Sequence, residues 1–271
     1  MAAELGLGAG SAVMVFDIET VPDTEGGRRL LQLPADESDL AVAQALRQRR
    51  LDQTQQSSDF LPHYLQRIVA ISVLLSTPQS LKVWSLGEVD SSETDLIERF
   101  FAGIERYSPT LVSWNGGGFD LPVLHYRALF LGINAHRYWE QGLFDPAFRW
   151  NNYLSRYHAR HLDLMDVLSG YQPRAVAPLS EIAMLLGFPG KSGESGAQVW
   201  DKYLAGQHQS IRDYCETDVV NTYGVYLAFQ KMRGFLDTEG LVLEKARLKN
   251  HLLALDQAHW APFIETLSHD A

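Results

Sequence analysis

Val13-Met14-Val15-Phe16 is an apolar run that gives way to Asp17-Ile18-Glu19-Thr20 and then Val21-Pro22-Asp23. The pattern predicts a strand followed by an acidic turn, because proline breaks a strand ladder. Ile68 to Leu75 and Leu81 to Leu86, separated by Ser76-Thr77-Pro78-Gln79, read as a hairpin. From Glu93 to Tyr107 the apolar positions Leu96, Ile97, Phe100, Phe101 and Ile104 fall at helical spacing, and Thr110 to Trp114 resumes a strand before Gly116-Gly117-Gly118. Another helix is expected over Pro122 to Leu131. Beyond it the patterns turn helical, at Leu162 to Leu168, Leu179 to Leu186, Val199 to Leu204, Ile211 to Phe229 and Glu239 to Leu255.

Strands therefore come early and helices late. The polar stretch Asp23 to Asp59, with a helix expected over Leu40 to Leu51, reads as an insertion between the first two strands, and Gly190 to Gly196 reads as a flexible loop. The expected organisation is one domain over residues 12–235, interrupted at about 23–59, with a helical extension over 236–271 packed on it. A chain of 271 residues with 46% apolar and 21% charged side chains can bury a large core, which excludes the disordered classes. Its formal charge of −10 argues against coating duplex DNA through a broad basic face but is compatible with an acidic site for divalent cations. Ile68 to Leu75 is too short to span a bilayer, which needs about 20 apolar residues. Met1 to Ser11 lacks Lys and Arg, so no signal peptide is expected. With Cys215 as the single cysteine, a reducing, cytoplasmic location is expected.

Three Asp-x-Glu pairs occur: Asp17/Glu19, Asp23/Glu25 and Asp237/Glu239. Asp17/Glu19 closes an apolar strand, where residues two apart share a face and can share one cation; surface charge at a strand end is the other reading. The other two pairs read as solvated loop or helix-end charges, so Asp23→Ala is expected to behave as wild type. In Asn115-Gly116-Gly117-Gly118-Phe119-Asp120-Leu121-Pro122 the glycines permit close approach of a ligand, while Asp120 either faces that ligand or caps the following helix. Without a following Gly-Lys-Ser/Thr this is no nucleoside-triphosphate loop. Tyr214 and Asp218 lie four apart and share one helix face.

Taken in order, these three segments resemble the 3′–5′ exonuclease motifs of the DEDD superfamily in its tyrosine branch. Phe16-Asp17-Ile18-Glu19-Thr20 is similar to the first motif, Asn115 with Phe119-Asp120-Leu121-Pro122 to the second, and Tyr214-Cys215 with Asp218 to the third. The last two resemble the proofreading domains of family-B DNA polymerases, as does Leu179 to Lys191 between them. The resemblance runs from about Val13 to Phe229 and leaves no room for a polymerase palm or fingers, so the chain looks like a stand-alone polymerase-B-like exonuclease. It implies an α/β, ribonuclease-H-like fold: a mixed, mainly five-stranded sheet flanked by helices. It also implies metal-dependent release of nucleoside monophosphates from the 3′ end of a single strand, DNA ahead of RNA. Asp17, Glu19 and Asp218 would hold the ion that activates water, Asp17 would bridge to a second, Asp120 would support that second ion, and Tyr214 would orient the nucleophile. Oxygen donors suit Mg²⁺, with Mn²⁺ as a substitute.

The sister branch uses His-x-x-x-x-Asp, and both His158/Asp163 and His161/Asp166 have that spacing, so a rival third motif exists. Asp163 and Asp166 otherwise read as a helix start and a polar face. For strand binding, besides Asn115 and Phe119, the acid-free run Ala147 to His161 offers Arg149, Arg156 and Arg160 interleaved with Phe148, Trp150, Tyr153 and Tyr157. Guanidinium groups suit phosphates and aromatic rings suit bases, unless the aromatics are core. Arg28, Arg29, Arg47, Arg49 and Arg50 of the insertion are the next candidates. An exoribonuclease and a catalytically silent nucleic-acid-binding scaffold stay open as alternatives.

Overall fold

The computed structural model describes residues 12–190 and 196–269; Met1 to Ser11 and most of the loop expected at Gly190 to Gly196 lie outside them. Five strands form one sheet: β1 (Val13–Pro22), β2 (Gln66–Ser76), β3 (Leu81–Ser85), β4 (Thr110–Ser113) and β5 (His161–Asp163). Their order is β3-β2-β1-β4-β5, with β1 antiparallel to β2, β2 antiparallel to β3, and β4 parallel to both β1 and β5. This mixed sheet, clad by helices, is the ribonuclease-H-like arrangement that the sequence motifs imply.

The helices are α1 (Thr24–Leu31), α2 (Asp39–Gln53), α3 (Glu93–Tyr107), α4 (Asp120–Leu131), α5 (His136–Trp139), α6 (Leu164–Leu168), α7 (Leu179–Leu185), α8 (Val199–Leu204), α9 (His208–Met232), α10 (Thr238–Leu255) and α11 (Ala261–His269). Alternation along β1 sorts two cores. Met14, Phe16 and Ile18 pack with α3 and α4 through Ile97, Phe100, Ile104, Val123 and Leu124. Val13 and Val15 face the opposite way, toward Val219, Val220 and Tyr223 of α9, and that core continues into Leu248 and Leu252 of α10 and Phe263 of α11. Asp17 and Glu19 follow Val13 and Val15 in the alternation, so the strand's period turns both carboxylates toward α9. Among the described residues no helix is long and apolar enough to cross a membrane.

Three elements depart from the sequence pattern. The first strand does not stop at Phe16: pairing with β2 carries it on to Pro22↔Gln66, so the acids sit within the strand rather than in a turn. Leu162 to Leu168 is not one helix, because His161–Asp163 pairs with β4 before α6 begins. Within the insertion α2 has a predecessor, α1, whose two glycines disguise it. A Cβ on Gly27 would lie 2.8 Å from side-chain carbons of Val42 and Leu46, so glycine is what lets α1 lie against α2.

Asp23 is not a solvated charge. It is buried and pairs with the equally buried Arg127 of α4, Nη1 to Oδ2 2.5 Å, while Arg127 grips Glu93 of α3 through Nε at 2.8 Å and Nη2 at 2.6 Å. Glu93 Oε1 also accepts the Ile68 N–H of β2 at 2.7 Å, and Asp23 Oδ1 accepts the Gly26 N–H that starts α1. One guanidinium thereby ties the end of β1 to β2, α3 and α4. Removing one partner of a buried ion network leaves a charge uncompensated. Asp23→Ala should therefore lose about 3 kcal/mol of stability in urea unfolding; wild-type stability would contradict the network.

Candidate active site

β4 accompanies β1 only to Val15↔Val112, whereas β1 continues for seven residues on β2 alone. This opens a crevice at the carboxyl ends of two parallel strands, where open α/β sheets place their ligands. Asp17 is partly buried there and Glu19 is buried. Asp120, the first residue of α4, does not cap that helix. Its Oδ1 accepts the Ile18 N–H at 3.1 Å, which anchors the carboxylate beside the open stretch of β1.

α9 closes the crevice from the other face. Its residues Tyr214, Cys215 and Asp218 are all buried. The Cys215 thiol donates to the main-chain oxygen of Asp17 at 3.4 Å and lies 3.5 Å from Asp17 Oδ2. Donor atoms of Asp17, Glu19 and Cys215 all fall within 4.8 Å of one another. The Tyr214 hydroxyl is bonded to the Asp218 side chain and feels the charges of Asp218, Glu19 and Asp17.

Crowding shows in the proton affinities. Burial, then the charges of Asp120, Glu19 and Asp218, hold the Asp17 carboxyl well above the usual carboxylate range, with the Cys215 bond acting the other way. Burial pushes Asp120 up to about 7, against its two backbone bonds, and the charges of Asp163 and Asp218 add to the rise. Burial and the neighbouring acids keep Tyr214 as a phenol and Cys215 as a thiol. With the phenol and thiol protonated, the donors a cation could recruit are carboxylate oxygens, a hard set that suits Mg²⁺ or Mn²⁺.

The glycine turn brings Asn115 and Phe119 to the rim. Asn115 has φ of +64°, and a Cβ on Gly118 would collide with Asn115 Oδ1. Asp163 fixes this turn: Oδ1 accepts the Asn115 N–H at 2.9 Å and Oδ2 the Gly117 N–H at 2.8 Å, while Oδ1 also caps α6 at Met165. Its capping role was visible in the sequence; its hold on a turn 46 residues away in the chain was not.

Neither histidine of the rival motif joins the acids. His161 is buried in β5 against Ser113 Oγ at 2.8 Å, and burial lowers it to about 4, so it is neutral at physiological pH. His158 Nδ1 accepts the Asn152 N–H. The arginine track is divided. Arg160 stacks 3.7 Å over the Phe148 ring and donates to main-chain oxygens of Asn151 and Ser108, at the end of β4 remote from the acids. Arg156 pairs with Asp166 at 2.7 Å, and Arg149 is exposed. Phe148 and Tyr153 are core, whereas Trp150 and Tyr157 are exposed. A second group, Asp213, Glu216 and His259, also gathers within 4.8 Å, but Glu216 Oε1 is taken by the Ser85 N–H and hydroxyl and Oε2 by His259, so it fastens the α10–α11 segment to the sheet.

Residues 58–267 match the family described as a predicted 3′–5′ exonuclease related to the exonuclease domain of PolB, a match that begins after β1. The catalytic chain of DNA polymerase epsilon from Emericella nidulans is 28% identical over 147 residues, 52% of this chain, and its counterpart from Schizosaccharomyces pombe is 28% identical over 144 residues. The chain spans about 6% of the length of these relatives. The family B DNA polymerase of the hyperthermophilic archaeon Pyrobaculum calidifontis superposes with a TM-score of 0.49 at 17% identity, over 95% of this chain and 27% of that one.

Burial of Asp120, with smaller contributions from the charges of Asp163 and Asp218, also sets a pH dependence. Folding raises the Asp120 carboxyl from 3.8 to about 7, so the metal-free folded chain holds this proton more tightly than the unfolded chain. The corresponding stability is present below about pH 4 and is lost as pH rises through about 7, at about 1.4 kcal/mol per pH unit of that window at most. Asp120→Asn keeps the acceptor for Ile18 and deletes the charge. In EDTA it should melt above wild type at pH 8 and level with it below pH 4; a difference independent of pH would contradict this.

Proposed function

Because the chain belongs to the family of predicted 3′–5′ exonucleases related to the PolB exonuclease domain, we propose that it is a divalent-metal-dependent 3′–5′ exonuclease releasing nucleoside monophosphates from single-stranded nucleic acid, DNA ahead of RNA. The observation that carries this reading is the convergence of Asp17, Glu19, Asp120, Asp218 and Tyr214, from three separate chain segments, at the crevice where β4 leaves the central strand β1. The donor set fits divalent cations: four carboxylates in mutual electrostatic reach, three of them buried, are stabilised together by cations. Asp17, Glu19 and Asp218 would hold one ion and Asp120 would serve a second. Such ions supply an activated water and charge stabilisation for the departing oxygen.

The protein's own groups do the rest. Asp120 stays fixed through Ile18, and Cys215 steadies the backbone of Asp17. Tyr214, kept protonated by its surroundings and bonded to the Asp218 side chain, has a hydroxyl that would orient the nucleophile beside Asp218. Asn115 and Phe119, presented by the glycine turn, face the strand's end. A cytoplasmic location remains part of the proposal.

Purified protein with 5′-labelled single strands should give a ladder shortening from the 3′ end in Mg²⁺ or Mn²⁺ and none in EDTA. Asp17→Ala and Asp218→Ala should abolish the ladder without unfolding the chain. Tyr214→Phe should lower kcat by about 100-fold with little change in KM, since a misplaced nucleophile costs about that much. His158→Ala and His161→Ala should be milder. Cleavage retained in Asp17→Ala would overturn the choice of Asp17 as a metal ligand, and binding without cleavage under every metal condition would replace this reading with the scaffold.

A further inference from the structure

Beside Glu19 and Asn115 a cleft of about 620 Å³ runs out from the acid site, within the roughly 300–1,000 Å³ of small-ligand pockets. Its floor is β1 at Ile18, Glu19 and Thr20, and its outer wall comes from the segment between β1 and β2, through Arg47 and Phe60. That segment is held firmly. Val42 and Leu46 of α2 are buried against Leu61 and Leu65, and Ala43 packs beside Val199 and Trp200. Arg50 Nε holds the Phe60 carbonyl at 3.1 Å, and the Phe60 N–H reaches Ser58 Oγ at 3.2 Å.

Phe60 is nevertheless 59% exposed. Its ring lies 5.8 Å from that of Phe119, which meets His63 at 5.6 Å, so an aromatic rail starts in solvent and ends at the glycine turn. A large apolar ring fixed in water beside a charged site has a free face for stacking, and every nucleobase offers a π-face to it. Arg47 makes no hydrogen bond or ion pair among the described residues, and it is a cation on the wall of a cleft otherwise bordered by Glu19 and Asp59.

We propose that Phe60 and Arg47 form the pocket for the terminal nucleotide of the substrate strand, the base stacking on Phe60 and the adjoining phosphate pairing with Arg47. This rests on the exonuclease reading and makes the segment between β1 and β2, rather than the Arg149 to Arg160 run, the specificity wall of the site.

The test uses the full chain and two single-stranded DNA oligonucleotides that differ only in whether the 3′-terminal nucleotide carries its base or is abasic. In wild type the abasic end should raise KM about tenfold, in the range of one lost base–aromatic stack. Phe60→Ala should raise KM for the normal end to the same degree and remove the difference between the two ends, while Phe60→Trp restores both. Arg47→Gln should make the log affinity–log salt slope shallower by about 0.7, the share of one phosphate on a single strand. An abasic penalty that persists in Phe60→Ala, or an unchanged slope in Arg47→Gln, would overturn the assignment. If wild type cleaves neither strand, the exonuclease reading falls; fluorescence anisotropy of the same two strands then decides the pocket, through loss or persistence of the base-dependent difference in Phe60→Ala.

Discussion

Four carboxylates that repel one another are held in a crevice largely withdrawn from water, and the rest of the molecule is organised around keeping them there. Burial and mutual charge both oppose ionisation of Asp17 and Asp120. Nothing in the local preferences of Phe16-Asp17-Ile18-Glu19 would sustain such a cluster. It persists because β1 is locked on β2 along ten residues, because α9 is anchored by Val219, Val220 and Tyr223 in the core behind it, and because the Ile18 N–H holds Asp120. Strain of this kind is what clustered, buried carboxylates cost a fold when no counter-charge accompanies them.

The supports lie outside the acidic motifs themselves. Arg127 joins Asp23 and Glu93, which pins the exit of β1 against α3 and α4 and sets where the insertion departs. Asp163 performs the matching task on the other side of the crevice, holding two N–H groups of the glycine turn and the start of α6 with one carboxylate. His259, through Glu216, fastens the C-terminal helices to the stretch of α9 that carries Tyr214 and Asp218. The geometry is therefore over-determined from several chain segments, as a preorganised site requires.

Much of this was legible in the sequence for a physical reason. A strand's period of two places Asp17 and Glu19 on one face, and a helix's period places Tyr214 and Asp218 on another, so each motif carries its own geometry. What was not legible depended on partners far along the chain. Asp23 looks like any turn acid until Arg127, 104 residues later, is folded against it. β5 is three residues long and merges with the apolar pattern of α6, so only pairing with β4 reveals it. Arg160 shows as a cation in the sequence, but its stacking on Phe148 turns it into a structural group. Helix α1 is hidden by Gly26-Gly27, whose value lies in close packing rather than propensity.

The measurement that bears most directly on a cation-holding carboxylate cluster is anomalous diffraction from crystals of the protein grown with Mn²⁺. Manganese should appear at the crevice between β1 and α9, bound by Asp17, Glu19 and Asp218, with a second ion toward Asp120, and both peaks should vanish in Asp17→Ala crystals. Manganese confined to Asp213, Glu216 and His259, or absent from the crevice at saturating concentration, would contradict it.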